Sequence, residues 1–225
     1  LTGSAIATDD PQFQGCIFVA RNITDRKRAE RRIRYLARYD ALTKVPNRMQ
    51  FQHLLQQAIA RGNGGGTEVA LLYLDLDRFK DVNDTFGHGL GDEVLAQAAR
   101  CIIDHLRLYD RVFRYGGDEF LMLLPGTHPE EAWHLVDRIR QRLAETTLGL
   151  SPEGEAIRLT ASFGITPLEP DLTVEECIAR ADKALLLAKA AGRNRVGCWD
   201  PAVTTGTMVD REISARPASP GSAGH

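Results

Sequence analysis

The chain has 225 residues, with 28 Lys and Arg against 30 Asp and Glu and a formal net charge of −2. That length suffices for one good core with room for a linker and tails, and the charge balance argues against a broad nucleic-acid-binding surface. The four cysteines, Cys16, Cys101, Cys177 and Cys198, contain no C-x-x-C pair, so neither a zinc site nor a disulfide framework is indicated. They read as buried thiols in a reducing, cytoplasmic compartment. No apolar run approaches the roughly 20 residues that span a membrane. The chain opens on Leu without a signal-peptide pattern and is expected to be a piece of a longer protein, with any membrane anchor lying outside it.

Residues 1–23 hold a turn-like DDPQFQG and a short β-type run, CIFVARNI. They resemble the C-terminal end of a PAS sensor domain and are too short to fold alone. Residues 24–39, TDRKRAERRIRYLARY, read as a linker helix with Thr24 and Asp25 as cap and first-turn acid. Its seven basic side chains are most simply a solvated face. Ala29, Ile33 and Leu36 fall at helical spacing, which offers a weak parallel helix pair as the alternative.

DALTKVPNR breaks that helix, and MQFQHLLQQAIARG starts another. GNGGGT is a flexible loop and not a P-loop, because no G-K-[ST] follows. VALLYLDLD is a buried strand, and DRFKDVNDTFGHGLGDEVLAQAARCIIDHL is two helices around a glycine-rich turn. RVFRYGGDEFLMLL is a hairpin, followed by a helix from about Pro129 to Ala144. RLTASFGIT is a strand, TVEECIARADKALLLAKAAG a final pair of helices, and RNRVGCWD the last strand. Residues 201–225, rich in Pro, Gly, Ser and Thr, read as a disordered tail or interdomain linker. The expected fold class is α+β, with a mixed, partly antiparallel sheet flanked by helices.

RYGGDEF raises a physical question, because a buried apolar run normally excludes both glycine and carboxylate. A two-residue primed turn at Gly116-Gly117 answers the first half, with Arg111–Tyr115 pairing against Asp118–Leu124. Alternation then sends Asp118 and Glu119 to opposite faces. Asp75, on the face of Leu71 and Tyr73 at the end of VALLYLDLD, is the expected partner for Asp118 around a divalent metal. Asp77 reads as an N-cap for the following helix.

In order along the chain, DALTKVPNR, LDLDRFKDVNDTFGHGLGDEVL, RLYDRVFRYGGDEF, TASFGIT and ADKALLLAKAAGRNRV resemble the GGDEF domain of diguanylate cyclases over residues 40–200. The resemblance implies a fold similar to the palm of nucleotidyl cyclases and polymerases. It also implies condensation of two GTP into cyclic di-GMP with loss of pyrophosphate, in a homodimer that uses two Mg2+ or Mn2+ ions per site. It assigns the metal to Asp75, Asp118 and the Leu76 carbonyl, with Asp118 as proton acceptor and Glu119 as a supporting carboxylate. Asn83 and Asp92 fall on the guanine contacts, with His88 a further candidate. Lys80 falls on the triphosphate, as do Lys189 and Arg193, read as four apart on one helix face. RLYD matches the family's R-x-x-D inhibitory site for the product, giving Arg107 and Asp110, with Arg114 as an added cation.

Two departures stand out. The usual L-T-G-L-P-N-R reads LTKVPNR, and Leu186 stands where the family commonly has Tyr. Neither removes a ligand. The competing reading is a GTP-binding regulatory module with little turnover that controls an adjacent phosphodiesterase domain. A nucleic-acid-binding helix, based on RKRAERRIR, is disfavoured by the near-neutral charge.

Overall fold

The computed structural model describes residues 2–5, 16–19, 22–62, 69–169 and 171–200. The GNGGGT loop lies largely outside these residues, and the 201–225 tail wholly so. Strands β1 (Thr2–Ala5) and β2 (Cys16–Val19) pair antiparallel, the second inside the run expected as a strand. Helix α1 (Thr24–Leu36) follows, with no buried residue. Its N-cap is Ile23, one residue before the one expected and without a side-chain cap bond, and the Thr24 N–H donates to the Asn22 side chain at 2.9 Å.

Past α1 the chain makes a tight turn around Asp40. The Asp40 carboxylate accepts from the Leu42 N–H at 3.2 Å, the Thr43 N–H at 2.8 Å and the Thr43 hydroxyl at 2.7 Å. Lys44 sits in this turn with φ of 62°, at the position where the family pattern has glycine. Helix α2 (Arg48–Gly62) begins beyond the Pro46-Asn47 break.

Strand β3 (Val69–Leu76) forms the centre of a five-stranded sheet. It pairs antiparallel with β5 (Glu119–Pro125) on one side and β8 (Ala161–Pro167) on the other. β4 (Arg111–Arg114) and β9 (Val196–Cys198) are the edges, and β8–β9 is the one parallel pairing in this sheet. The expected mixed, partly antiparallel sheet is what forms. VALLYLDL suits the central place because it is apolar on both faces. Leu72, Leu74 and Leu76 pack under α4 (His88–Ile103) and α5 (Pro129–Glu145), through Val94, Ala98, Ala132 and Val136. Leu71 and Tyr73 pack against α2 and α6 (Val174–Ala190), through Phe51, Leu55, Cys177 and Ala181.

α6 is one continuous helix, where the sequence reading expected two. It starts at a full capping box between Thr173 and Glu176, and no Gly or Pro interrupts it before Ala190. Its backbone rests directly on β8. A Cβ at Gly164 would lie 2.1 Å from the Ala181 carbonyl oxygen, so only glycine allows this approach. Short helix α3 (Phe79–Phe86) follows β3, and a small hairpin of β6 (Gly149–Leu150) and β7 (Ala156–Ile157) precedes β8. That hairpin carried no clear signal in the sequence. Cys101 and Cys177 are buried as expected, but Cys198 is exposed because β9 is a three-residue edge strand.

The left-handed backbone at Lys44 is a local strain that a side chain with Cβ tolerates poorly. Lys44→Gly is expected to stabilise the domain by about 1 kcal/mol, the relief of strain exceeding the added chain entropy. Urea unfolding followed by circular dichroism checks this.

Candidate active site

Strand β3 ends in two acids with different surroundings. Asp75 lies on the Leu71 and Tyr73 face, as expected, opposite Glu119 of β5 and Ser162 of β8. Its side chain is 14% exposed, and Lys189 Nζ stands 2.8 Å from its Oδ1. Burial lifts its pKa, the Lys189 bond and charge oppose this, and the charges of Asp118 and Asp77 add to the rise, so the carboxyl stays above its usual range.

Asp77 is not the cap of α3. That position falls to Arg78, with φ of 59° and no side-chain cap bond. Asp77 is instead buried, 4% exposed. It accepts from the Thr160 hydroxyl at 2.7 Å, the Ser162 hydroxyl at 2.8 Å and the Asn194 N–H at 3.0 Å. Three donors from two distant segments outcompete the local helix end for this carboxylate.

The hairpin also differs from expectation. Tyr115 to Asp118 form the connection between β4 and β5, and neither Gly116 nor Gly117 has positive φ. A two-residue primed turn is therefore absent. The Tyr115 and Gly116 N–H groups both donate to the Glu119 carbonyl, at 2.9 and 3.4 Å, which opens a wider turn and leaves Asp118 outside the strand. Gly116 serves space and not a special torsion. Its Cβ would sit 2.7 Å from Glu119 Oε2. Glu119 faces Tyr73, and burial followed by this carboxylate's charge and hydrogen bond pushes the Tyr73 hydroxyl well above its ordinary pKa. The Leu76 N–H donates to the Asp118 carbonyl at 3.4 Å, which holds Asp118 beside the end of β3.

On the other flank, Asn83 of α3 lies against Gly91 of α4, where a Cβ would come within 1.9 Å of Asn83 Oδ1. His88 and Asp92 are exposed on the first turns of α4, joined to α3 through Gly87 at φ of 83°. Lys80 is exposed in the first turn of α3. Lys189 is in the last turn of α6, but Arg193 is not on that helix. The helix ends at Ala190, and the Gly192 and Arg193 N–H groups donate back to Lys189 and Ala188 carbonyls at 3.3 and 3.2 Å. This is a Schellman-type end, and it leaves Arg193 exposed with φ of 63°.

The R-x-x-D turn is closed by Asp110, which is 5% exposed and accepts the Arg107 backbone N–H at 2.8 Å. The Arg107 side chain is exposed. Arg114 does not join this turn. Its guanidinium donates to Asp40 at 3.0 Å and to the Gly117 carbonyl at 3.1 and 2.9 Å, so its charge is committed to the hairpin. Arg138, which the sequence analysis did not single out, reaches the His105 carbonyl at 3.5 Å and brings a second cation beside the turn. Only tertiary packing of α5 reveals it.

Among the described residues no three His, Cys, Asp or Glu side chains converge on a metal-sized site. The donor set beside β3 consists of two carboxylates, Asp75 and Asp118, and the Leu76 carbonyl. Hard oxygen donors of this number suit Mg2+ or Mn2+, which keep water and substrate phosphate as remaining ligands. Asp75 already takes a cationic partner at 2.8 Å, so the residues fit a divalent ion.

An antiparallel-centred sheet with acids on adjoining strand ends, flanked by helices on both faces, is an α+β arrangement. Residues 37–195 match the family model described as "Diguanylate cyclase, GGDEF domain", and the chain belongs to that family. It is 41% identical over 160 residues to the diguanylate cyclase DosC of Escherichia coli K12, covering 71% of this chain and 35% of the relative. It is 38% identical over 163 residues to the response regulator PleD of Caulobacter vibrioides, covering 72% of this chain and 36% of the relative. The chain thus spans about a third of these relatives' length. A solved structure of the coiled coil and GGDEF domain of DgcB from Caulobacter crescentus, in complex with c-di-GMP, superposes with a TM-score of 0.73 at 32% identity. That match covers 78% of this chain and 93% of the other.

Asp77 ties β3, β8 and the turn after α6 into one unit. Asp77→Ala strands three donors, and a loss of about 3–5 kcal/mol of stability is expected in urea unfolding. Asp77→Asn, which keeps one acceptor oxygen, is expected to lose less.

Proposed function

We propose that this domain condenses two GTP molecules into cyclic di-GMP, releasing pyrophosphate from each. The observation that carries the reading is the juxtaposition of Asp75 and Asp118 at adjoining strand ends, held by the Leu76 N–H bond to the Asp118 carbonyl at 3.4 Å. Family membership and the c-di-GMP complex of DgcB support the choice of product.

Asp75, Asp118 and the Leu76 carbonyl are proposed to hold two Mg2+ or Mn2+ ions. These supply Lewis-acid activation of the 3′-hydroxyl and charge neutralisation of the triphosphate. Asp118, which lies outside the strand, is proposed to accept the hydroxyl proton. Glu119, bound to Tyr73, fixes the start of β5 beside it. Asn83 and Asp92 take the hydrogen-bonding edge of guanine, with His88 at the rim. Lys80, Lys189 and Arg193 contribute positive charge for the phosphates, Arg193 from the turn after α6.

One chain offers one nucleotide pocket and the product joins two guanylates, so a homodimer is required. α1 buries none of its residues, and Ile33 is 66% exposed, which suits pairing with a second copy and raises the effective concentration of the facing pockets. The organisation proposed is a PAS-like end at 1–23, a signalling helix at 24–39, the cyclase domain at 40–200 and a linker at 201–225, in the cytoplasm. No helix among the described residues is long and apolar enough to cross a membrane. The product is proposed to bind back at Arg107 and the Asp110 turn, with Arg138 in place of Arg114 as the second cation.

Purified chain incubated with GTP and Mg2+ is expected to form cyclic di-GMP, read by chromatography and mass. Asp118→Ala is expected to lower turnover at least about 100-fold, and wild-type rates in that variant contradict the site. In the same assay, added cyclic di-GMP is expected to slow the wild type noncompetitively with GTP. Arg107→Ala is expected to keep turnover and escape that inhibition. Equal product affinity in both proteins contradicts the inhibitory site.

A further inference from the structure

Lys189 is committed to a carboxylate that the proposed function needs for a metal. Its ammonium lies 2.8 Å from Asp75 Oδ1, with side chains 26% and 14% exposed. Among the described residues no other Lys or Arg forms an ion pair with Asp75, Asp77 or Asp118. The same residue belongs to the set that supplies charge to the triphosphate. It cannot hold Asp75 and a phosphate equally well at once, since the ammonium is a compact point charge on a rotatable stem.

We propose that Lys189 is an exchangeable placeholder cation. It holds Asp75 until a divalent ion arrives and is then handed to the nucleotide's phosphates, which makes metal and nucleotide binding mutually reinforcing. This rests on the proposed assignment of Asp75 as a metal ligand. Three structural facts carry the exchange. First, the anchor of Lys189 is fixed while its head is not. The α6 backbone is seated on β8 at Gly164, and the helix end is closed on Lys189 and Ala188 carbonyls, whereas the side chain has four rotatable carbons. Second, Asp75 is mostly buried beside the charges of Asp118 and Asp77. Without a cation its charged form is costly there, so the site is occupied by Lys189 when metal is not. Third, the pair is partly open to solvent, so a doubly charged ion can displace the ammonium without unfolding the strand end.

The consequence is a coupling that runs both ways. A metal entering alone must displace Lys189 and leave it without a partner. With phosphates present, the displaced ammonium gains a new anion, so the metal binds more tightly. The reverse holds for the nucleotide.

Binding of Mn2+ to the folded, nucleotide-free chain, counted by electron paramagnetic resonance of the free ion, tests this without any turnover. Lys189→Met is expected to bind Mn2+ about tenfold more tightly than wild type, since the competing charge-assisted bond is gone. A methylene-bridged GTP analogue is expected to tighten Mn2+ binding less in that variant than in wild type. Lys183→Met removes the same charge from the same helix, at a side chain that lies 5.2 Å from the Trp199 ring and makes no Asp75 contact. It is expected to bind Mn2+ as wild type does, and Lys189→Arg to stay near wild type. If Asp75→Asn weakens Mn2+ binding while Lys189→Met matches wild type, the exchange is wrong and the metal assignment stands. If Lys183→Met tightens Mn2+ as much as Lys189→Met, the effect is one of general charge and the exchange is again wrong. If Asp75→Asn leaves Mn2+ binding unchanged, the metal assignment itself fails and takes this inference with it.

Discussion

A strand buried on both faces cannot end in unpaired carboxylates, and much of this domain is arranged around that constraint. From Ala70 to Leu76, β3 carries four leucines, an alanine and a tyrosine, and acid enters it only at Asp75 near its end. Each desolvated carboxylate costs several kcal/mol unless something donates to it. Asp77 meets that demand with three hydrogen bonds, which draw in the start of β8 and the turn after α6. Asp75 meets it with Lys189, which depends on α6 lying flat on the sheet. The backbone of Leu76, between them, fastens Asp118. The same pairings that neutralise the strand end therefore also assemble the proposed catalytic groups.

The β4 side of the hairpin turn is tied by a second charge pair. Asp40 and Arg114 meet at 3.0 Å with side chains 23% and 17% exposed, well inside the range where a pair outweighs a solvent-screened surface contact. Burial works against the charged Asp40, but hydrogen bonds from Thr43 and the Arg114 contact outweigh it and hold the carboxyl below its usual pKa. Arg114 also grips the Gly117 carbonyl with two N–H groups. The segment after α1 and the turn that carries Asp118 are in consequence one hydrogen-bonded unit.

Much of this was legible in the sequence, and the misses share a cause. The central strand, the helices and the mixed sheet follow from apolar periodicity, and the family pattern spans most of the chain. Asp75 could be placed on its face because alternation along a buried strand is strict. Asp77 was misread because a short acid before a helix has an ordinary local use, while its actual donors lie 83, 85 and 117 residues away. Arg114 was assigned to the R-x-x-D turn, and Arg138 was not anticipated there, for the same reason: their partners Asp40 and His105 are supplied by packing and leave no local spacing signal. Arg193 was assigned to the helix because a four-residue interval is persuasive. Gly192 was the cue that the helix stops, since glycine just past a helix end favours the Schellman closure.

The central claim is that the acids at the end of β3 and the hairpin turn form one metal and nucleotide site. A crystal structure of this chain with a nonhydrolysable GTP analogue and Mn2+ tests it most directly, because the anomalous signal of manganese locates the ion independently of the surrounding density. The account predicts manganese bound by Asp75, Asp118 and the Leu76 carbonyl, guanine at Asn83 and Asp92, and Lys189 turned from Asp75 toward the phosphates. Manganese away from Asp75 and Asp118, or guanine remote from Asn83 and Asp92, would contradict it.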